Sequence, residues 1–190
     1  MRNYVSLFGL ALLLAIPSAL AGEPAPGNPL PPLSIEDRGE VVLEGEDFAF
    51  APWSSAKQPG KVHVLQYFGA TRADSKRFQP FTDLLEQTFD RGQYHVTTII
   101  NLDAALWGTT GLVVSEIKDS KRKYPGSTMV LDENGSGVST WQLGEEGSGL
   151  VIMDGQGVVK YFTRGSLDEE QMKSSLTLVK EEIDACAKTC

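Results

Sequence analysis

Cysteine is scarce in this 190-residue chain. There are two, Cys186 and Cys190, and both lie in the last five residues. That excludes a disulfide framework, so the core must hold the fold. Within a monomer the only pairing is Cys186 to Cys190, a short loop whose closure adds little stability. Histidine is equally scarce: His63 and His95 are the only two, each inside an apolar, strand-like run. Such positions suit a core or sheet-face imidazole better than a general base. Two thiolates without a nearby third ligand do not complete a tetrahedral zinc shell, so no metal is implied. Positive charge is also short, with 17 basic against 25 acidic residues and a net charge of −8. An acidic surface repels phosphate backbones and anionic lipid, which argues against nucleic acid as a partner. The 19 glycines are scattered through turns, and none forms a GxGxxG or GxxxxGK[ST] phosphate loop. No cofactor is implied.

One long hydrophobic run is present, and it stands at the start. Arg2 precedes the apolar stretch Tyr4 to Ile16, Pro17 and Ser18 interrupt it, and Ala19-Leu20-Ala21 supplies small-x-small cleavage chemistry. The run is shorter than the roughly 20 residues a spanning helix needs. Residues 1–21 are therefore expected to be a cleaved signal peptide, leaving 16 basic against 25 acidic residues, a net charge of −9. No later stretch is apolar enough to enter a membrane. Export places the cysteines in an oxidising compartment.

The remaining length suits one domain. Residues 22–32, rich in Pro and Gly, read as a flexible lead; 33–185 form the domain; 186–190 are a tail carrying CxxxC. Within the domain, Val41 to Leu43 is a short strand after a turn at Asp37-Arg38-Gly39. Lys61 to Phe68 is a mostly apolar, β-branched and aromatic run, as a buried strand requires. Asp74 to Asp90 has Phe78, Phe81, Leu84, Leu85 and Phe89 at helical spacing, with Pro80 kinking it or fixing its first turns. Tyr94–Leu102 is a strand, Leu112–Tyr124 a helix and Ser127–Leu131 a strand. A hairpin follows, Leu150–Met153 and Val158–Phe162 around Asp154-Gly155-Gln156-Gly157. The last helix opens on a capping box, Ser166-Leu167-Asp168-Glu169, and carries the stripe Met172, Leu176, Val179, Ile183. This order predicts an α/β sandwich whose central sheet is mixed and flanked by helices.

Three stretches resemble the thioredoxin-like superfamily, in its peroxiredoxin and TlpA-type branch. They are Pro32 to Gly39, Gly60 to Phe68, and Leu150 to Val159 with its Asp-x-x-Gly turn. More narrowly, the mature chain from about Pro31 to Ile183 is similar to the YtfJ family of exported bacterial proteins. Asp37-Arg38-Gly39-Glu40-Val41-Val42-Leu43, Gly60-Lys61-Val62, Thr97 to Asp103 and Trp141-Gln142-Leu143 carry that similarity. The resemblance implies a thioredoxin-like fold and a periplasmic location, and it brings no mechanism with it. Active members of the superfamily hold a low-pKa cysteine after the first long strand, at a helix N-terminus. Here that loop reads Gly69-Ala70-Thr71-Arg72-Ala73-Asp74-Ser75-Lys76, with no cysteine. Without a thiolate, neither disulfide exchange nor peroxide reduction can occur there. The superfamily's proline before the later strand is also missing, and Ser148 stands in its place.

The candidate site is accordingly a binding site: Thr71, Arg72, Asp74 and Ser75 in the loop, with Ser148 beside them. Arg72 could hold an anion or a peptide carboxylate with its guanidinium fork and nearby free N–H groups. The plainer reading is that Asp74 or Ser75 caps the helix and Arg72 is solvated. Cys186 and Cys190 are a redox pair, a structural staple or idle thiols; residues four apart on a helix meet, but regular geometry does not favour a bridge. Asp37, Asp103, Asp132 and Asp154 are explained by turns. Gly147-Ser148-Gly149 is no nucleophile elbow. Trp53, Trp107 and Trp141 either line a peptide surface or pack under loops. The expected function is a non-redox binding module for an exported protein, a peptide or a small ligand. The alternative is a thiol–disulfide oxidoreductase or redox partner working through Cys186 and Cys190.

Overall fold

The apolar run after Gly60 becomes a strand in the middle of a seven-stranded sheet. In the computed structural model, which describes residues 21–57 and 60–189, the strands are β1 (Ser34–Glu44), β2 (Asp47–Ser54), β3 (Val62–Gly69), β4 (Tyr94–Asn101), β5 (Thr128–Asp132), β6 (Gly149–Met153) and β7 (Val159–Thr163). Their order across the sheet is β2-β1-β5-β4-β3-β6-β7. β3, β4 and β5 are parallel, and the flanking pairings are antiparallel. The helices are α1 (Gln79–Thr88), α2 (Thr110–Lys123), α3 (Ser136–Thr140) and α4 (Glu169–Thr189). The sandwich with a mixed central sheet is the architecture expected from the sequence. The proposed cleavage signal before Ala21 lies outside the described residues.

Alternation along β3 divides the core in two. Val62, Val64 and Phe68 face a cluster built from Phe81 and Leu85 of α1, Val113 and Ile117 of α2, and Val179 and Ile183 of α4. Leu65 and Tyr67 face Trp53, Trp141, Leu143, Leu30 and Leu33 on the other side. Burial on both faces explains why this strand reads as almost continuously apolar.

Several boundaries differ from the sequence reading. β1 runs straight through Asp37-Arg38-Gly39, because that turn is a bulge inside a strand. Pairing with β2 shifts register between Ile35 and Glu40, and Arg38 and Gly39 both take positive φ. A side chain at Gly39 would meet the Ala51 carbonyl oxygen at 2.2 Å. β2 itself was not expected; Asp47-Phe48-Ala49-Phe50-Ala51-Pro52 lacks a clean alternation, and its pairing with β1 overrides the weak local signal. The helix expected from Asp74 divides into a 3₁₀ turn, Asp74–Lys76, and α1, with Pro80 in its first turn where no N–H is required. The last helix is capped two residues later than its motif suggested. Asp168 Oδ1 accepts from Gln171 N at 2.8 Å, and Asp168 N donates to Gln171 Oε1 at 3.0 Å.

Two segment assignments also change. The lead read as a flexible arm lies along the sheet: Gly27 N donates to Val159 O, Val159 N to Asn28 O, and Leu30 is buried. Its apolar side chains cover a sheet face that no long helix covers. At the other end, α4 continues through Cys186 to Thr189, so Cys186 sits in helix and not in a tail.

A buried carboxylate ties the sheet to α3. Asp132, at the end of β5, accepts from Tyr67 Oη at 2.8 Å, from Ser136 N and Oγ at 3.1 and 2.9 Å, and from Gly137 N at 2.9 Å. Gly137 is packed so closely that an added Cβ would lie 2.3 Å from Tyr67 Cε2. Gly137→Ala should therefore lower unfolding free energy by about 1–3 kcal/mol through overpacking. Urea denaturation would show a lower midpoint at unchanged slope; an unshifted midpoint would contradict this packing.

Candidate functional site

The three parallel strands end side by side, and each final residue shapes the loop that leaves it. Gly69 of β3 is level with Asn101 of β4, which is level with Asp132 of β5. Gly69 gives room for the Asp74 carboxylate: a Cβ there would stand 2.9 Å from Asp74 Oδ2 and 3.0 Å from Ala104 Cβ. Asn101 Oδ1 accepts from Asp103 N at 3.0 Å, closing a 3₁₀ turn over Leu102–Ala104, and its carbonyl accepts from Ala70 N at 2.9 Å. Asp132 fixes α3 as described.

The loop after β3 is tightly bonded within itself. Thr71 Oγ1 donates to Asp74 Oδ2 at 2.6 Å and accepts from Asp74 N at 3.1 Å. Thr71 thus braces the loop ahead of the 3₁₀ turn, whose N-cap is Ala73, and neither Asp74 nor Ser75 caps it. Arg77 bonds Asp74 Oδ1 at 3.1 Å and Glu146 Oε2 at 2.6 Å, tying the loop to the segment ahead of β6. Ser75 Oγ donates to Arg72 O at 3.1 Å. Arg72 is exposed and forms no ion pair among the described residues.

Thr71, Arg72 and Ser75 line one side of an open cavity of about 300 Å³. Phe68, Ile100, Val113 and Ile117 form its back, and Leu106 and Leu112 its apolar rim. Leu106 and Leu112 are 68% and 60% exposed, and the neighbouring Trp107 is fully exposed. The cavity can therefore receive an apolar group, with Arg72 beside it as the cation.

The structure does not gather every residue singled out in the sequence. Asp74 lies behind the loop as its internal acceptor and does not line the cavity. Ser148 is fully buried, and its hydroxyl donates to Arg164 O at 2.7 Å. It is therefore already satisfied, away from the cavity. No cis peptide bond occurs among the described residues. Cys186 is disulfide-bonded and its Sγ lies 3.8 Å from Gly60 O, at the opposite end of β3 from the loop; Cys190 lies outside the described residues. Trp53 and Trp141 are core residues, Trp141 Nε1 donating to Pro31 O at 2.8 Å. Trp107 is the exception, with no packing role. The cavity's rim residues were missed, although Leu106-Trp107-Gly108 is an apolar pair in a segment with no helical or strand periodicity.

Comparison with known proteins supplies the family. The family model described as "Bacterial protein of unknown function (YtfJ_HI0045)" matches residues 25–182. The chain belongs to the YtfJ family. The Escherichia coli K12 protein YtfJ is 34% identical over 176 residues, covering 92% of this chain and 96% of its own. Among solved structures, a thiol-disulfide isomerase from Corynebacterium glutamicum superposes with a TM-score of 0.55 at 16% identity, covering 80% of this chain and 96% of its own. A secreted thiol-disulfide isomerase of the same organism gives 0.51 at 14% identity, covering 82% and 85%. These likenesses establish a thioredoxin-like fold for this YtfJ-family chain, as its sequence resemblance implied. Among the described residues no helix is long and apolar enough to cross a membrane, and no cluster of three or more His, Cys, Asp or Glu could hold a metal.

The two histidines lie far from this loop, paired across β3 and β4 near the strands' starts. Their rings meet edge to face at 5.2 Å; His63 Nε2 bonds Thr97 Oγ1 at 2.8 Å, and His95 Nε2 bonds Thr128 Oγ1 at 3.0 Å. Burial, then the neighbouring His95, pushes His63 down to about 3 from 6.5, and its Nδ1 has no partner among the described residues. These features belong to a neutral core histidine. The unfolded chain takes up this proton near pH 6.5 and the folded one only near 3. Its contribution to stability is therefore complete above about pH 6.5 and lost as pH falls towards 3. The expected slope is at most about 1.4 kcal/mol per pH unit. Urea midpoints measured from pH 7 to pH 5 should fall for the parent and fall less for His63→Gln; equal slopes would refute the assignment.

Proposed function

We propose that this YtfJ-family protein is an exported, periplasmic binding module that uses the thioredoxin-like loop without its redox chemistry. The observation that carries the reading is the cavity beside that loop. Thr71, Arg72 and Ser75 remain at its edge, while the apolar side chains of α2 and the Leu106–Leu112 segment leave it open. An apolar pocket with a few polar groups at one side is the usual form of a ligand site. Leu106, Trp107 and Leu112 expose apolar surface around it, which a monomer gains nothing by presenting to water. Arg72 favours a ligand with an anionic end. Export is supported by the N-terminal run before Ala21 and by the secreted structural relative.

The test uses anilinonaphthalene sulfonate, which joins an apolar body to an anion. The protein should enhance its fluorescence, and Leu112→Asp and Arg72→Ala should each weaken binding by about three- to ten-fold, as loss of an apolar contact or a charge-assisted bond requires. Equal affinity in both variants would place the dye, and the site, elsewhere. The parent should also fail to accelerate insulin reduction by dithiothreitol.

A second reading has one observation of its own, the disulfide-bonded Cys186. Thiol trapping in glutathione buffers separates the two. A potential between about −120 and −230 mV would mark an exchange-active couple, and one below about −300 mV a structural staple, which is the expected result.

A further inference from the structure

The cavity beside Arg72 is the upper end of a trench. Phe68, Ser75, Glu116 and Ile117 also line a second cavity of about 360 Å³ between α1 and α2. That cavity shares Glu86, Tyr94, Val96 and Ser127 with a third, of about 310 Å³, which reaches Lys61. The trench opens because α1 packs against α4 while α2 packs against β1. Between them the face of β3 and β4 is left partly uncovered, with the polar Gln66 and Thr98 at its middle and Phe68, Tyr94 and Val96 around them. Gln66 and Thr98 are half-buried on the floor, Gln66 Nε2 donating to Thr98 Oγ1 at 2.7 Å. Among the described residues that bond leaves the Gln66 carbonyl oxygen, its second amide hydrogen and the Thr98 hydroxyl hydrogen without a partner.

The ends of the trench carry cations, Arg72 at one and Lys61 and Arg91 at the other, and its middle carries carboxylates alone. Asp83 of α1 and Glu116 of α2 face the trench from opposite sides, and neither is ion-paired or hydrogen-bonded within the described residues. Glu86 is already neutralised by Arg91 at 2.6 Å. The middle of the trench therefore holds two uncompensated carboxylates above a floor of donors and acceptors, with an apolar pocket at one end. β3 has eight residues, so the trench is about 26 Å long at the rise of an extended chain.

We propose that the trench between α1 and α2 binds an extended peptide segment, about seven or eight residues long, that alternates apolar and basic side chains. Its main chain bonds Gln66 and Thr98, its basic side chains lie against Asp83 and Glu116, an apolar side chain fills the cavity beside Ile100 and Val113, and its terminal carboxylate meets Arg72. Lys61 and Arg91 limit the cationic stretch at the far end. The proposal rests on the cavity being a binding site and names what enters it.

Fluorescence anisotropy of the mature protein with a fluorescein-labelled nonapeptide alternating leucine and lysine tests this. Saturable binding is expected, about five- to ten-fold weaker for the Asp83→Asn/Glu116→Gln double variant and for a leucine–glutamate peptide, as two partly screened ion pairs would give. Glu169→Gln/Glu170→Gln, which removes the same charge from the exposed start of α4, should leave affinity unchanged. No binding, or equal weakening in both double variants, would overturn the proposal. Dye binding that still depends on Leu112 and Arg72 would then leave the cavity reading standing, and loss of that dependence too would remove both.

Discussion

A single buried carboxylate sets the geometry at the end of the sheet that borders the cavity. Asp132 is almost wholly enclosed and collects four hydrogen bonds, from Tyr67 on the central strand and from the first residues of α3. A buried carboxylate without partners would be strongly destabilising, so β3, β5 and α3 can sit together only in the arrangement that satisfies it. Burial and the Asp132 bond together push the Tyr67 phenol far above its ordinary range, which keeps it the proton donor. Asn101 and Gly69 continue the same row across the strand ends, one capping a turn and the other giving way to the Asp74 carboxylate. The loops that border the cavity hang from these three residues.

Such an edge is where parallel α/β sheets place their ligands, because loops leave the strand ends there while the sheet stays rigid. In this chain the loop has no thiol, yet it remains well built. Thr71 and Asp74 bond each other reciprocally, and Arg77 braces the turn against Glu146. What the loop borders is as informative as what it contains. With α1 held by α4 and α2 by β1, the helices that flank the centre of the sheet do not close over it. Polar side chains in the middle of β3 and β4, Gln66 and Thr98, are consistent with a sheet face that meets something other than its own helices.

Much of this was legible along the chain. Lys61 to Phe68 announced a strand buried on both faces, and the stripe Met172, Leu176, Val179, Ile183 announced the last helix, because burial imposes a period that survives in sequence. The missing cysteine in Gly69 to Lys76 was equally plain, since a thiolate reaction needs a thiol. Caps were harder. Ser166–Glu169 and Asp168–Gln171 are both acceptable capping pairs, and only the packing of the helix chose the second. β2 escaped notice because its pairing with β1 lies around a bulge that reads locally as a turn.

The sequence by itself determined the class of fold, the absence of a cysteine from the loop and the excess of acidic residues. These follow from residue type and periodicity, which are local. Tertiary structure alone decided that Asp74 is an internal brace, that Ser148 is spent on a backbone carbonyl and that Arg72 stands at an open cavity. It also decided that Asp132, ordinary in a turn, becomes the anchor of three elements. The roles of Ser148, Arg72 and Asp132 depend on residues sixteen or more positions away, whose approach is fixed by strand pairing and helix packing and leaves no trace in the local pattern. Asp74 is braced by Thr71 and Arg77, three positions to either side, in a loop shape that residue type alone does not fix.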